Sequence, residues 1–287
     1  MIRRIVLLPL VAACSSSSSS SPSSMMMNPQ NGQPPVFVQP NTLDVSTMKP
    51  ANFACLGSHA DPPAPTAPTA LTVHVIDFET KADVAGATVE VYTSLDKFDA
   101  KLPDATSTAT GSDGKAQLTV PPGSYRVIFR TVGDPDLTVE TIEFNRAYDD
   151  VQRYSVSQAT KGTIGAVLNL FPDDSEGVVA GAVRDCDDHD VGGATFGVSS
   201  SGGSFDSATN TFYFVDVSAT STVPERTQHW TSADGVFASL NVPPGDATVS
   251  AQGIVSAGAM PTMLATGVAP VRAAAVTVVE LQPLGPP

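Results

Sequence analysis

Two blocks of this chain repeat in the same order, and that duplication limits the fold more than any other feature of the sequence. Val84-Ala-Gly-Ala-Thr-Val-Glu-Val91 matches Val191-Gly-Gly-Ala-Thr-Phe-Gly-Val198. Asp113-Gly-Lys-Ala-Gln-Leu-Thr-Val-Pro-Pro-Gly123 matches Asp234-Gly-Val-Phe-Ala-Ser-Leu-Asn-Val-Pro-Pro-Gly245, with one extra residue. Around these blocks apolar and polar residues alternate with the period of two of a half-buried strand. Leu71, Val73 and Val75 show it, as do Ala116, Leu118 and Val120, then Tyr125, Val127 and Phe129. Asp113-Gly114 suits a tight hairpin. Pro122-Gly123 suits a type II turn, with glycine at positive φ in the third position. The same turn is expected at Gly245. In the second copy the two blocks stand further apart. The added residues predict a hairpin around Phe205 to Val217, with Thr211 to Val215 as a strand.

Between the copies Val156, Ala159, Ile164, Val167 and Leu168 outline a helical stripe, with Ser155 or Ser157 as its N-cap. The spacing predicts a short linking helix within 159–174. Phe171 to Gly177 then reads as a surface loop.

Each copy thus has V-x-D, then V-x-G-A-T-V-x-V, then D-G-x-x-x-L-x-V-P-P-G-x-Y-x-V. This pattern resembles the carboxypeptidase regulatory-like domain, a small transthyretin-like β-sandwich. The first copy carries it through Asp77, Gly86-Ala87-Thr88, Asp113-Gly114, Pro121-Pro122-Gly123 and Tyr125. The second carries it through Gly181, Asp185, Gly193-Ala194, Asp234-Gly235 and Pro243-Pro244-Gly245, and departs at Ala247, where the first copy has tyrosine. The resemblance implies an all-β protein with two tandem transthyretin-like or Ig-like sandwiches, over 70–158 and 175–285. The shared residues are turn and core positions, so no functional site transfers with them. The zinc-binding His-x-x-Glu of the catalytic domain found beside such modules is absent. The third residues after His59, His74, His189 and His229 are Pro62, Asp77, Gly192 and Ser232.

The N-terminus has a different character. Arg3-Arg4, an apolar run from Ile5 and small residues before a cysteine make an export signal over 1–13. The apolar stretch is too short to span a bilayer as a helix, which needs roughly 20 residues. Val11-Ala12-Ala13-Cys14 resembles the lipobox of bacterial lipoproteins. This implies cleavage before Cys14, acyl chains on Cys14 as the membrane anchor and, with Ser15 following, sorting to the outer membrane. From Ser15 to about Gln39 the composition cannot bury enough apolar surface to offset its ordering entropy, so a disordered Ser/Pro-rich stalk is expected within 14–69. Inside it Val45, Met48, Phe53, Cys55 and Leu56 form an apolar segment suited to docking on a neighbouring domain.

The chain has 15 basic and 29 acidic side chains. Loss of Arg3 and Arg4 with the signal makes the balance more negative still. Such a charge disfavours nucleic acid and any anchorage through a basic patch on anionic lipid. In an oxidising envelope the two remaining cysteines, Cys55 and Cys186, are expected to be joined. The alternative is two free thiols.

Little in the sequence points to catalysis. No Gly-x-Ser-x-Gly, His-Glu-x-x-His, Cys-x-x-Cys or Gly-x-Gly-x-x-Gly occurs. Ser94-Leu-Asp-Lys97 matches a penicillin-interacting Ser-x-x-Lys, but no Lys-Thr-Gly accompanies it. Asp185-Cys-Asp-Asp-His-Asp190 is dense in metal-ligand types. It fails the EF-hand pattern, with Asp190 where glycine is required, and reads as a polar turn. Trp230, the single tryptophan, is expected to fill core. These readings predict a non-enzymatic protein without catalytic residues, metal or cofactor. It would be an envelope lipoprotein for surface presentation, adhesion or scaffolding. The alternative is capture of carbohydrate or peptide beside an outer-membrane transporter.

Overall fold

Strands form where β-branched residues alternate and end where Gly, Pro and Asp cluster. The computed structural model describes residues 51–58, 63–124, 126–146, 152–218, 221–255 and 259–283. The first half contains β1 (Thr69–Asp77), β2 (Thr88–Tyr92), α1 (Leu95–Asp99), β3 (Ala105–Thr106), β4 (Lys115–Val120), β5 (Arg126–Val132), β6 (Thr138–Val139), β7 (Thr141–Arg146) and β8 (Gln152–Ser157). Helix α2 (Gln158–Leu168) links it to β9 (Gly177–Val183), β10 (Thr195–Ser200), α3 (Ser207–Asn210), β11 (Thr211–Ser218) and β12 (Ser221–Glu225). The chain closes with β13 (Val236–Val242), β14 (Gly245–Gly253), β15 (Thr262–Val271) and β16 (Val276–Leu281). The fold is all-β, and the material added in the second copy is α3 with the β11–β12 hairpin. Ser157 caps α2 by accepting from Thr160 N, and Asn169 ends it in the left-handed region.

Among the described residues the strands form three sheets. One has order β4-β1-β8-β6, a second β10-β14-β15, and the third β12-β11-β13-β9-β16-β7-β5-β2-β3. The third sheet crosses from one sequence copy to the other. Strand β16, the last of the chain, runs parallel between β9 of its own copy and β7 of the first, with Val278 opposite both Ala180 and Glu143. Two separate sandwiches were expected; the two cores instead share one sheet. Parallel strands are buried on both faces and lose the clean alternation of a solvated strand. Thus β4 alternates exposed and buried residues, whereas β9, Gly177-Val-Val-Ala-Gly-Ala-Val183, has no polar side chain and β16, Val276-Thr-Val-Val-Glu-Leu281, has no exposed residue. Gly181 is required at this seam. A Cβ there would stand 1.9 Å from the Val279 carbonyl oxygen.

The first core gathers Leu71, Val73, Val89, Leu118 and Phe129, and the second Val179, Phe196, Tyr213, Phe237 and Leu281. Each large side chain so buried stabilises the fold by roughly 1.5–3 kcal/mol. Residues opposite one another in a ladder face the same side. Val276 and Val278 therefore share the face of Glu143, toward the first core, while Val279 and Leu281 belong to the second. The two smaller sheets accordingly cover opposite faces of the large one.

The duplication extends to hydrogen bonding. Thr110 Oγ1 donates to the Val84 carbonyl at 2.7 Å and accepts from Ala87 N at 3.0 Å. Thr231 Oγ1 does the same with Val191 and Ala194, at 2.7 and 3.0 Å. The hairpin glycines also correspond. Gly114 and Gly235 have φ of 66° and 68°, and Cβ atoms there would press on the carbonyls of Val75 and Val183. Gly123 and Gly245, expected at positive φ, have 103° and 139°.

The first core also holds a charge pair. Arg153 is fully buried, donates through Nη1 to Glu143 Oε2 at 3.0 Å and lies 3.7 Å over the Phe129 ring. Tyr154 N donates to Glu143 Oε1 at 2.9 Å. Arg153 Nε and Nη2 have no hydrogen-bond partner. Desolvation raises the Glu143 carboxyl above the ordinary glutamate range, outweighing the opposing pull of Arg153.

Candidate functional site

Two features stand out against this frame: a disulfide-bonded strap and a cavity between the shared sheet and α2. Cys14, Val45, Met48 and Tyr125 lie outside the described residues.

Cys55 and Cys186 are joined, with Cα atoms 5.8 Å apart. Residues 51–58 lie across the loop that follows β9. Asn52 accepts through its carbonyl from Cys186 N at 2.8 Å and donates its own N–H to Asp185 Oδ2 at 2.7 Å. Its side chain donates to Asp187 Oδ2 at 3.1 Å. Ala51 and Phe53 pack against the second core. The apolar leader thus docks through Phe53 and its cysteine.

The acidic loop is organised around Asp185. This carboxylate is buried and accepts from the backbone N–H groups of Asn52, Asp187 and His189 at 2.7–2.9 Å. Ligand atoms of Asp185, Asp187 and His189 come within 4.8 Å of one another. With Asp185 committed to three N–H donors, the loop has the geometry of the expected polar turn. Ser94 of the Ser-x-x-Lys match is the N-cap of α1 and accepts from Lys97 N, and Lys97 pairs with Asp104. Trp230 does not fill core as expected. It is half-buried beside His229 and belongs to none of the core clusters.

The cavity has a volume of about 290 Å³. Its floor is the face of β16, β9, β13 and β11 turned from the second core, including Val278, Ala180, Ala238 and Phe214. Tyr154 and Val156 of β8, Ile164 of α2 and the turn after β1 close over it. Asp77 builds that turn. Its Oδ1 accepts from the N–H groups of Glu79 and Thr80 at 3.1 and 2.8 Å. Thr160 of α2 donates to Glu79 Oε2 at 2.7 Å and pins the helix to it. Phe78 meets Tyr154 and Phe214 edge-on, with ring centroids 6.0 and 6.1 Å apart. Lys81 sits at left-handed φ of 58°, its Nζ 4.8 Å from the Phe78 centroid and 5.1 Å from that of Tyr154. Arg184 also lines the wall, 3.3 Å from Asp190 and 3.7 Å from Glu280. Desolvation lowers the Lys81 ammonium from the ordinary lysine range, against the attraction of Asp77 and Asp234. Burial likewise raises the Tyr154 phenol.

Sequence reasoning missed the cavity, the Arg153–Glu143 pair and the two threonines. For the threonines a signal existed: both copies read T-x-x-D-G, at Thr110 to Gly114 and Thr231 to Gly235. Nothing equivalent marks the cavity, whose walls come from distant parts of the chain.

No protein-family model matches the chain, and no curated protein matches it. Several solved structures are similar to it only distantly. The Bacillus anthracis TIE protein is 14% identical with a TM-score of 0.22, over 77% of this chain and 34% of its own, so the chain spans about a third of that protein's length. Shaft pilin SpaA from Lactobacillus rhamnosus GG is 12% identical with a TM-score of 0.23, over 75% of this chain and 97% of its own. GBS52, the minor pilin of Streptococcus agalactiae, is 12% identical with a TM-score of 0.21, over 76% of this chain and 98% of its own.

Proposed function

We propose that the protein is a non-enzymatic envelope lipoprotein, anchored to the outer membrane through acyl chains on Cys14, that presents or scaffolds by means of its fused double sandwich. The observation that carries this reading is the Cys55–Cys186 bond. Disulfides persist in oxidising compartments, which agrees with the export signal at the N-terminus. Among the described residues no helix is long and apolar enough to cross a membrane. The lipobox-like Val11-Ala12-Ala13-Cys14 supports a lipid anchor at Cys14. The strap and the shared sheet tie both halves into one unit, as a module bearing load between an anchor and a partner requires.

Fractionation tests the anchor. The parent chain is expected in washed membranes and Cys14→Ala in the soluble fraction; a Cys14→Ala variant that stays in membranes refutes it. Crosslinking and pull-down of the intact lipoprotein tests scaffolding, which requires recovery of an envelope protein in fixed stoichiometry. A second reading, capture of a small molecule, is favoured by the cavity, whose apolar walls suit an apolar guest better than a carbohydrate.

A further inference from the structure

We propose that the cavity between the shared sheet and α2 is a binding site for a small anionic amphiphile of the medium-chain carboxylate class. The apolar body would lie on the sheet floor and the carboxylate would pair with Lys81. The inference stands whether or not Cys14 is lipidated.

Size and wall chemistry define the body. An apolar protein cavity of about 150 Å³ holds one benzene. The present one, at about 290 Å³, is near twice that, room for a body of about ten carbons. The middle of the floor carries small side chains, Ala180 and Ala182 of β9 and Ala238 of β13, while Phe78, Phe214 and Leu240 stand around it. This distribution keeps the space open between two packed layers. The apolar side chains favour an apolar guest over the floor, while Lys81, Lys161, Arg184, Asp190, Asp234 and Glu280 make the rest of the wall polar.

Charge bookkeeping at the mouth defines the head. Arg184 is shared between Asp190 and Glu280, so its cation is taken and that cluster keeps one negative charge in excess. Lys161 is paired with Asp174. Asp234 accepts at Oδ1 from Ser232 Oγ and Val236 N, which holds it in its hairpin. The Lys81 ammonium differs. It rests over two ring faces, and no carboxylate lies within ion-pair distance of it among the described residues. Lys81 is an exposed residue at the mouth, and partial desolvation lowers its ammonium from the ordinary lysine range. A ligand carboxylate at this point would give Lys81 a direct ion-pair partner in addition to the longer-range attraction of Asp77 and Asp234. The Asp77 turn and the left-handed backbone at Lys81 hold the head-binding group in place.

The test is calorimetric titration of the purified chain with decanoate, 1-decanol and decyltrimethylammonium, each below its aggregation concentration. Decanoate is expected to bind once per chain and more tightly than the other two. Lys81→Gln should weaken decanoate about tenfold, equivalent to about 1.4 kcal/mol, and leave decanol unchanged. Ala180→Leu and Ala238→Leu, which fill the floor from different strands, should each abolish binding of both while the circular-dichroism melt stays cooperative. The proposal is overturned if the parent chain shows no saturable decanoate binding, or if decyltrimethylammonium binds best. It is also overturned if Lys81→Gln affects decanoate and decanol alike. The comparison of ligands on the parent chain decides the matter even if a floor variant fails to fold.

Discussion

Breaking the Arg153–Glu143 pair tests the first core directly. Arg153→Met removes the guanidinium and leaves a buried carboxylate with one hydrogen bond, from Tyr154 N. Stranding one partner of a buried ion pair costs about 3–5 kcal/mol. For a chain of this size each kcal/mol lowers Tm by about 2–4 °C, so the expected fall is roughly 6–20 °C. Glu143→Gln keeps an acceptor for Tyr154 N but leaves the Arg153 charge unpaired, and should cost a similar amount. Arg153→Met combined with Glu143→Gln removes both charges, and Met still packs over Phe129. It should recover most of the loss, with a coupling of about 1–3 kcal/mol or more in a double-mutant cycle. The pH dependence supplies a second arm. The folded-state pKa of Glu143 is raised, so its contribution to stability is full below the ordinary glutamate value and lost as pH rises through the folded one. Without Arg153 the carboxyl shifts further up. The deficit of Arg153→Met against the parent chain should therefore be larger at pH 8 than at pH 4.5. Urea unfolding at the two pH values, with slopes checked for constancy, measures all of this. Additive losses, or single variants within about 1 kcal/mol of the parent chain at pH 8, would refute the buried-pair reasoning.

Three further outcomes follow from the geometry. Thr110→Val and Thr231→Val keep shape but orphan a buried carbonyl and N–H in each repeat, so each should cost about 1–3 kcal/mol in urea unfolding; a neutral result at both sites would refute the shared role. Opening the strap by Cys55→Ser with Cys186→Ser releases a loop of 131 residues. The chain-entropy relation gives about 5 kcal/mol for that length as an upper figure, and thiol labelling of the unfolded, unreduced parent chain should find neither cysteine free. Gly181→Ala drives a Cβ into the Val279 carbonyl at the seam, and should lower Tm and speed amide exchange in β9 and β16 ahead of β1 and β4.

Much of this protein was legible in the amino-acid order because the signals are local. Alternation over Lys115 to Val120 shows which side chains turn inward, and a Cβ penalty identifies the turn glycines Gly123 and Gly245 without reference to the rest of the chain. Ser157 caps α2 through a side chain three residues from its partner. Even the Cys55–Cys186 bond was within reach, since reading Cys14 as the lipidation site leaves two of the three cysteines and one pairing. The shared sheet, the Arg153–Glu143 pair and the cavity were not legible. Every strand offers the same backbone N–H and C=O groups, so alternation shows which face is buried but not which strand lies alongside. That choice depends on non-local closure, here the return of the last strand, β16, between β7 and β9. Only when that strand is seated do the apolar outer face of the second half, helix α2 and Lys81 enclose a common space.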